Sequence, residues 1–165
     1  MELKDKLVVF CDLDDTLIKT ISGKTFPEDV SDFRLRLDVL DKIRDLYPQK
    51  VFIVTNQGGI PQYVNRIEFE AKLRCIEKFV SSYVGCDTVG EYCASKDETH
   101  PDRKPNTGML DKLWAMHCDE YLKSQMLMIG DASGKPGDFS DSDRKCAENF
   151  GIDYLDVEDF VNDEY

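Results

Sequence analysis

The chain has 165 residues, of which 41% are hydrophobic and 33% are charged. This composition is typical of a globular domain and excludes both a disordered tail and a small disulfide-rich fold. Its apolar runs are all far shorter than the ~20 residues that a membrane span needs. The net charge of −12 disfavours non-specific tracking along nucleic acid, because such binding depends on Lys and Arg neutralising phosphates. It leaves room for a small basic pocket, and the length of the chain predicts one domain, residues 1–165.

The amino terminus and the cysteines indicate where the protein resides. The charged start of the chain runs into only five apolar residues, Leu7 to Cys11, which is too short for the core of an export signal. The six cysteines include no C-x-x-C pair and are interpreted as reduced, mostly buried thiols. We expect an intracellular protein, cytoplasmic or nuclear, that is monomeric and does not contact a membrane.

Short apolar runs alternate along the chain with stretches of helical periodicity. Strands that are apolar throughout and separated by helices indicate a parallel sheet covered on both faces. We therefore predict a three-layer α/β fold with about five parallel strands and no large cap domain. The segment between the first strand and the first helix, residues 19–37, is predicted to form a short flap. The strands are expected near residues 7–11, 51–54, 88–94, 126–129 and 152–155, and the helices near 37–46, 69–84, 109–117, 142–150 and the acidic C-terminal turn.

Polar and ionisable residues follow the predicted strands. Asp12 and Asp14 come after the first strand, Thr55 after the second and Asp131 after the fourth, while Lys104 lies in the connection that follows the third. In parallel α/β sheets the ligand crevice lies at the carboxyl ends of the strands. These side chains are therefore expected to converge on one site.

The residue types at these positions suit phosphoryl transfer. Carboxylates close together repel one another unless a divalent cation neutralises them, and hard oxygen ligands favour Mg²⁺. One carboxylate can attack phosphorus, and a second can exchange a proton with the leaving oxygen and with water. A hydroxyl and a fixed ammonium, here from Thr55 and Lys104, suit the phosphoryl oxygens.

Several segments also carry a resemblance to known enzymes. The residues Asp12-Leu13-Asp14-Asp15-Thr16, Thr55-Asn56, Lys104 and Gly130-Asp131 resemble, in chain order and spacing, the four motifs of the haloacid dehalogenase superfamily of phosphohydrolases. The segments Arg103-Lys104-Pro105-Asn106-Thr107-Gly108-Met109 and Gly130-Asp131-Ala132-Ser133-Gly134-Lys135-Pro136 resemble more specifically the polynucleotide 3′-phosphatases. This resemblance runs from about Leu7 to Phe160.

The resemblance implies a role for each matching residue. It implies that Asp12 is the nucleophile and that Asp14 is the general acid and base. It also implies that Mg²⁺ is bound by the Asp12 carboxylate, the Asp14 main-chain carbonyl and Asp131. Asp143 is implied to be a further acid beside the metal, either contacting its ligands or lying on the metal side itself. The phosphoryl group is expected to be bound by Thr55, Asn56 and Lys104. Candidate substrate contacts are Lys24, Arg34 and Arg103.

The implied reaction is Mg²⁺-dependent removal of 3′-phosphates from nucleic-acid ends, DNA being favoured, as a step of DNA end repair. Asp15 departs from the glycine common in the family and adds a charge near the site. The sequence has no G-x-x-x-x-G-K-[ST] loop, so kinase activity is not predicted.

Two alternatives remain open at this level. One is a small-molecule phosphatase of the same superfamily, acting on histidinol phosphate or a heptose bisphosphate. Some of those enzymes carry a Cys/His zinc loop, and Cys86, Cys93 and His100 fall short of a closed tetrahedral set. The other alternative is a binding module that keeps the fold without catalysis, which the presence of all four motif residues disfavours.

Overall fold

A computed structural model describes residues 2–165 of the chain. Its strands are β1 (Val8–Cys11), β2 (Ile18–Lys19), β3 (Arg34–Leu35), β4 (Lys50–Asn56), β5 (Asp87–Cys93), β6 (Met126–Gly130) and β7 (Asp153–Asp156). Its α-helices are α1 (Leu37–Asp45), α2 (Arg66–Val84), α3 (Gly108–His117), α4 (Ser142–Phe150) and α5 (Val157–Asn162). None of the helices within residues 2–165 combines the length and apolarity required to cross a bilayer.

Five strands form one parallel sheet in the order β5-β4-β1-β6-β7. Successive side chains of a strand point to opposite faces, and β1 shows this directly. Val9 and Cys11 pack in one apolar cluster with α1, α2 and α5, whereas Val8 and Phe10 pack in a second cluster with α3 and α4. The prediction of a three-layer fold built on five parallel strands is confirmed.

The helix ends follow local sequence signals. The side chain of Asn65 accepts a hydrogen bond from the backbone N–H of Glu68 at the start of α2, which satisfies one of the free donors of the first turn. Helix α2 ends at Gly85, whose φ of 89° lies in the left-handed region that a side chain disfavours. These signals set the two ends of α2, which packs against β5 and α1.

Strands β2 and β3 pair antiparallel to form the base of the flap, residues 18–35. The connecting loop is held by Asp32, whose carboxylate accepts hydrogen bonds from the Ser22 hydroxyl and from the backbone N–H groups of Ser22 and Glu28. These bonds lower the pKa of Asp32 to about 2. On the inner face of the hairpin, Ile18 is buried and Leu35 packs on the core. The flap is thus anchored beside the carboxyl end of β1.

Candidate active site

A buried lysine joins two carboxylates at the carboxyl edge of the sheet. Lys104 Nζ donates hydrogen bonds to Asp12 Oδ1 at 2.8 Å and to Asp143 Oδ1 at 2.7 Å. Lys104 is 3% exposed and Asp143 is 1% exposed. Burial alone would lower the pKa of Lys104, but the charges of Asp12 and Asp143 outweigh it and raise that pKa. Lys104 is therefore a fixed positive charge at the end of β1.

Asp131 completes a cluster of three carboxylates with Asp12 and Asp143. One oxygen from each lies within 4.8 Å of the others, and Thr16 Oγ1 approaches Asp131 Oδ1 at 3.4 Å. Burial, with the charges of Asp12 and Asp143, raises the pKa of Asp131 to about 8. Burial also raises the pKa of Asp143, although the charge of Lys104 opposes this shift.

This cluster fits a divalent cation. Three ionised carboxylates and one ammonium leave an excess of two negative charges in a largely buried site. Oxygen donors of this kind are the ligands that Mg²⁺ takes in proteins. The raised pKa of Asp131 is the expected result of such crowding when no cation offsets it.

The close approach of Asp143 depends on Gly130, the last residue of β6. Asp143 Oδ2 accepts a hydrogen bond from the backbone N–H of Ala132 at 3.1 Å. A Cβ on Gly130 would lie only 2.3 Å from the same oxygen. A residue without a side chain is therefore required where β6 passes α4.

We expect Gly130→Ala to lower the free energy of unfolding by about 1–3 kcal/mol, because overpacking forces Asp143 away from its partners. Chemical denaturation checks this value. Gly59→Ala is the matched control, since a Cβ there would meet Val64 at an ordinary 3.4 Å. Equal stability of the two variants would contradict the required close approach.

Gln57 links two residues that the sequence predicts to be functional. Its Nε2 donates to Asp14 Oδ2 at 2.8 Å and to Thr55 Oγ1 at 2.9 Å, while its backbone N–H donates to the carbonyl of Cys93. No sequence pattern predicts this role for Gln57, although the residue directly follows the Thr55-Asn56 pair. The structure shows that it fixes the orientation of the Asp14 carboxylate.

Asn56 makes contacts that differ from the predicted phosphate-binding role. Its Nδ2 donates to the Lys104 carbonyl at 3.0 Å, and its Oδ1 accepts from the Lys104 backbone N–H at 3.0 Å. Both polar ends of the side chain are thus engaged with one peptide segment. These contacts support a positioning role, in which Asn56 holds the main chain of Lys104 beside β4.

The predicted substrate contacts lie on the rim. Lys24 is paired with Glu28 on the flap, Arg34 is exposed on β3, and Arg103 donates to the Ser95 carbonyl at 3.0 Å. Within residues 2–165, none of these three cations bonds to the carboxylate cluster. They border the crevice on the flap and on loop 94–107.

Asp15, which stands where glycine is common in the family, has a φ of 59°. This left-handed conformation explains why glycine suits the position. Its exposed carboxylate adds to the negative charge that raises the pKa of Asp131.

Cys86, Cys93 and His100 do not converge on a zinc site. Cys93 Sγ lies 3.7 Å from His100 Nδ1, but Cys86 precedes β5 whereas Cys93 ends it. The length of the strand therefore separates the two thiols.

Comparison with known proteins agrees with this geometry. Residues 6–161 match the family model described as polynucleotide kinase 3 phosphatase. The chain belongs to this family. This is the family that the motifs around Asp12, Lys104 and Asp131 resemble. The chain is accordingly a phosphatase.

Two curated relatives and one solved structure illustrate the relationship. The chain is 34% identical over 161 residues to the bifunctional polynucleotide phosphatase/kinase of Schizosaccharomyces pombe, covering 95% of this chain and 38% of that protein. It is 31% identical over 171 residues to an uncharacterized 20.8 kDa protein of Autographa californica nuclear polyhedrosis virus, covering 96% and 86% of the two chains. The D,D-heptose 1,7-bisphosphate phosphatase of B. bronchiseptica, solved with magnesium and phosphate, superimposes with a TM-score of 0.67 at 17% identity, covering 89% of this chain and 78% of that one.

These comparisons differ in what they establish. The chain spans less than two fifths of the yeast relative but most of the viral one. The likeness to the heptose bisphosphate phosphatase concerns the fold, which is that of the haloacid dehalogenase-like phosphatases.

Proposed function

We propose that this enzyme is a Mg²⁺-dependent phosphomonoesterase that removes 3′-phosphates from DNA ends through an aspartyl-phosphate intermediate. The observation that carries the proposal is the placement of Lys104 between Asp12 and Asp143, with Asp131 alongside. A function in the repair of DNA ends follows from this substrate, and it places the enzyme inside the cell, in the cytoplasm or nucleus.

In the first step, a carboxylate oxygen of Asp12 attacks phosphorus and the bond to the 3′-oxygen of the nucleotide breaks. Asp14, oriented by Gln57, gives its proton to that leaving oxygen. The Lys104 ammonium and the Thr55 hydroxyl stabilise the charge on the phosphoryl oxygens. The products are the free 3′-hydroxyl end and phosphorylated Asp12.

In the second step, water attacks the phosphorus of phosphorylated Asp12 while Asp14 accepts a proton from it. The bond between phosphorus and the Asp12 oxygen breaks, which releases inorganic phosphate and regenerates the carboxylate. Lys104 remains in place through both steps because Asp143 and the Asn56-held main chain fix it from two sides.

The residues that would hold Mg²⁺ are Asp12, the main-chain carbonyl of Asp14, and Asp131, with Asp143 beside them. When bound, the ion offsets the excess negative charge and allows an anionic phosphate to approach an anionic nucleophile. Without the ion, the Lys104 ammonium is a single positive charge against the three carboxylates of the cluster.

The shape and surface of the crevice support a polymer end as substrate. The flap is formed by two strands of two residues each and does not enclose the site as a domain would. Phe26 on the flap is 74% exposed and Phe139 on loop 131–141 is 94% exposed. Exposed aromatic rings of this kind stack on unpaired bases, and Arg34 and Arg103 supply positive charge at the rim.

Phosphate release from three substrates tests the proposal: 3′-phosphorylated DNA, 5′-phosphorylated DNA and histidinol phosphate, each with Mg²⁺ or with chelator. We expect release from the 3′-phosphorylated DNA, only with Mg²⁺. Release from histidinol phosphate in preference to DNA would favour the small-molecule alternative, and release from none would favour a binding module.

The carboxylate cluster also predicts a pH-dependent response to Mg²⁺. The pKa of Asp131 is raised to about 8, so the folded protein binds a proton that the unfolded chain has already lost. Metal-free stability is therefore expected to fall as the pH rises from about 5 to about 8. Because Mg²⁺ binds the ionised carboxylates, it should raise Tm more at about pH 8 than at about pH 5.

Thermal unfolding with chelator or Mg²⁺ at the two pH values measures this response. Asp131→Asn should flatten the pH dependence and remove most of the Mg²⁺ effect. A Mg²⁺-induced shift in Tm that is the same at both pH values would count against the cluster as the binding site.

A further inference from the structure

The turn that carries Asp131 is held by contacts from outside the carboxylate cluster. Within residues 2–165, the one hydrogen bond that another side chain donates to the Asp131 carboxylate comes from Thr16 Oγ1, and it is long, 3.4 Å. A bond of this length fixes a side chain weakly, so the position of the carboxylate depends on its main chain. The Asp131 carbonyl accepts a hydrogen bond from the Ser133 N–H at 3.0 Å, which closes a turn over residues 131–133.

Tyr154, on β7, contacts this turn on both sides of Asp131. Its hydroxyl donates to the Gly130 carbonyl at 2.9 Å and lies 2.6 Å from Ser133 Oγ. Gly130 directly precedes Asp131, and Ser133 follows it by two positions. Because β6 and β7 are neighbouring parallel strands, the Tyr154 hydroxyl ties the turn to the sheet.

The hydroxyl protons lie along a short chain that ends at Asp156. Ser133 Oγ donates to Asp156 Oδ2 at 2.6 Å. Burial would raise the pKa of Asp156, but the bonds from Ser133 and from the first turn of α5 lower it, so this carboxylate is an acceptor. Since the Ser133 proton points to Asp156, the Tyr154 proton remains for Ser133 Oγ and the Gly130 carbonyl. Burial raises the pKa of Tyr154, which keeps that proton in place.

A ligand of Mg²⁺ needs support of this kind because the ion is demanding. Mg²⁺ requires near-ideal octahedral coordination, whereas Ca²⁺ accepts variable geometry and longer distances. Removing an outer group that orients a metal ligand typically costs about 10- to 100-fold in metal affinity. No step of the proposed mechanism uses Tyr154, Ser133 or Asp156, so their network is free to serve this purpose.

We propose that Tyr154 is a positioning residue for Asp131 and that Ser133 and Asp156 complete its network. This inference rests on the proposed function, in which Asp131 binds Mg²⁺, and extends it to a strand outside the four motifs. Without the Tyr154 hydroxyl, the Gly130 carbonyl loses its donor and the turn no longer holds Asp131 where Mg²⁺ requires it. The affinity for Mg²⁺ then falls while every reacting group stays in place.

The first test is Tyr154→Phe, which removes the hydroxyl and keeps the ring. We expect the Kd for Mg²⁺, measured by isothermal titration calorimetry on the metal-free protein, to rise about 10-fold. The Kd for Ca²⁺ should rise less, because Ca²⁺ tolerates a displaced ligand. Tyr121→Phe is the matched control: Tyr121 packs against the same apolar cluster as Tyr154, and its hydroxyl forms no hydrogen bond within the described part of the chain. It should leave both Kd values unchanged.

Three results of this test would overturn the inference. They are an unchanged Kd for Mg²⁺ in Tyr154→Phe, an equal loss of affinity for Mg²⁺ and Ca²⁺, and an equal loss of Mg²⁺ affinity in Tyr121→Phe. A purely structural role of the hydroxyl would lower stability without the difference between the two ions.

Ser133→Ala tests the network without changing the ring, so it gives an answer even if Tyr154→Phe does not fold. We expect the Kd for Mg²⁺ to rise about 10-fold again. The double variant should lose less than the product of the two single effects, because members of one network are coupled. An unchanged Kd in Ser133→Ala, or two independent effects, would contradict the network.

The wild-type titration separates this inference from the proposed function. If the wild-type protein binds Mg²⁺ and Asp131→Asn does not, the metal site stands, and the Tyr154 and Ser133 variants decide the inference alone. If the wild-type protein binds no Mg²⁺, or if Asp131→Asn binds it equally well, the proposed metal site fails and the inference falls with it.

Discussion

Asp12→Asn is expected to lower kcat for phosphate release at least about 10³-fold, as loss of a catalytic nucleophile does. The amide cannot form the acyl phosphate, and it no longer offers a charged acceptor to Lys104. Steady-state phosphate release with saturating Mg²⁺ measures the effect. Because the variant also removes one of three mutually repelling carboxylates, the fold should persist.

Asp119→Asn is the matched control for this variant, since Asp119 is an exposed aspartate near the end of α3. It should retain wild-type activity and stability. If Asp12→Asn keeps a native circular dichroism spectrum and still turns over at more than about a hundredth of the wild-type rate, Asp12 is not the nucleophile.

Lys104→Met is expected to have the largest effect on stability. Removing the ammonium leaves the carboxylate of Asp143, which is 1% exposed, without its charged partner. Breaking a buried pair in this way costs roughly 3–5 kcal/mol, which corresponds to a drop in Tm of about 10 °C for a chain of this size. Chemical and thermal unfolding measure the loss, and phosphate release should fall as well.

A double variant separates the two roles of Lys104. Lys104→Met combined with Asp143→Asn removes both members of the buried pair, so it should recover much of the lost stability. It should not recover activity, because the positive charge on the phosphoryl oxygens is still missing. A double variant that is as unstable as the single one would contradict the assignment of the loss to an unpaired Asp143.

The sheet was predictable from the sequence because its strands are short, apolar runs with turn signals at both ends. Val51 to Val54, for example, is buried throughout, and the structure extends that run to β4. The pairing of β2 with β3 could not be predicted from the sequence. Two strands of two residues each carry no measurable periodicity, and tertiary packing of Ile18 and Leu35 on the core determines them.

The carboxylates of the site were predictable for a different reason. In a parallel sheet, residues that follow different strands meet at one edge, so Asp12 and Asp131 could be expected together despite their separation along the chain. Lys104 was expected there because it lies in the connection that follows the third strand, and the family resemblance supports the same position. Its roles in catalysis and those of its neighbours stay predictions until the variants are measured.

Pairwise contacts between side chains were not predictable. The contact of Asp143 with Lys104 spans 39 positions and depends on the missing side chain of Gly130. The bonds from Gln57 to Asp14 and from Asn56 to the Lys104 main chain are set by loop conformations that no periodic pattern encodes.

The most direct test of the account is to trap the phosphorylated enzyme. Asp14→Asn is mixed with ³²P-labelled p-nitrophenyl phosphate, whose leaving group needs no general acid, and the reaction is quenched with acid. We predict that label accumulates on a peptide that contains Asp12 and that hydroxylamine releases it, as it does from an acyl phosphate. Label on any other residue, or turnover with no labelled protein, would contradict attack by Asp12.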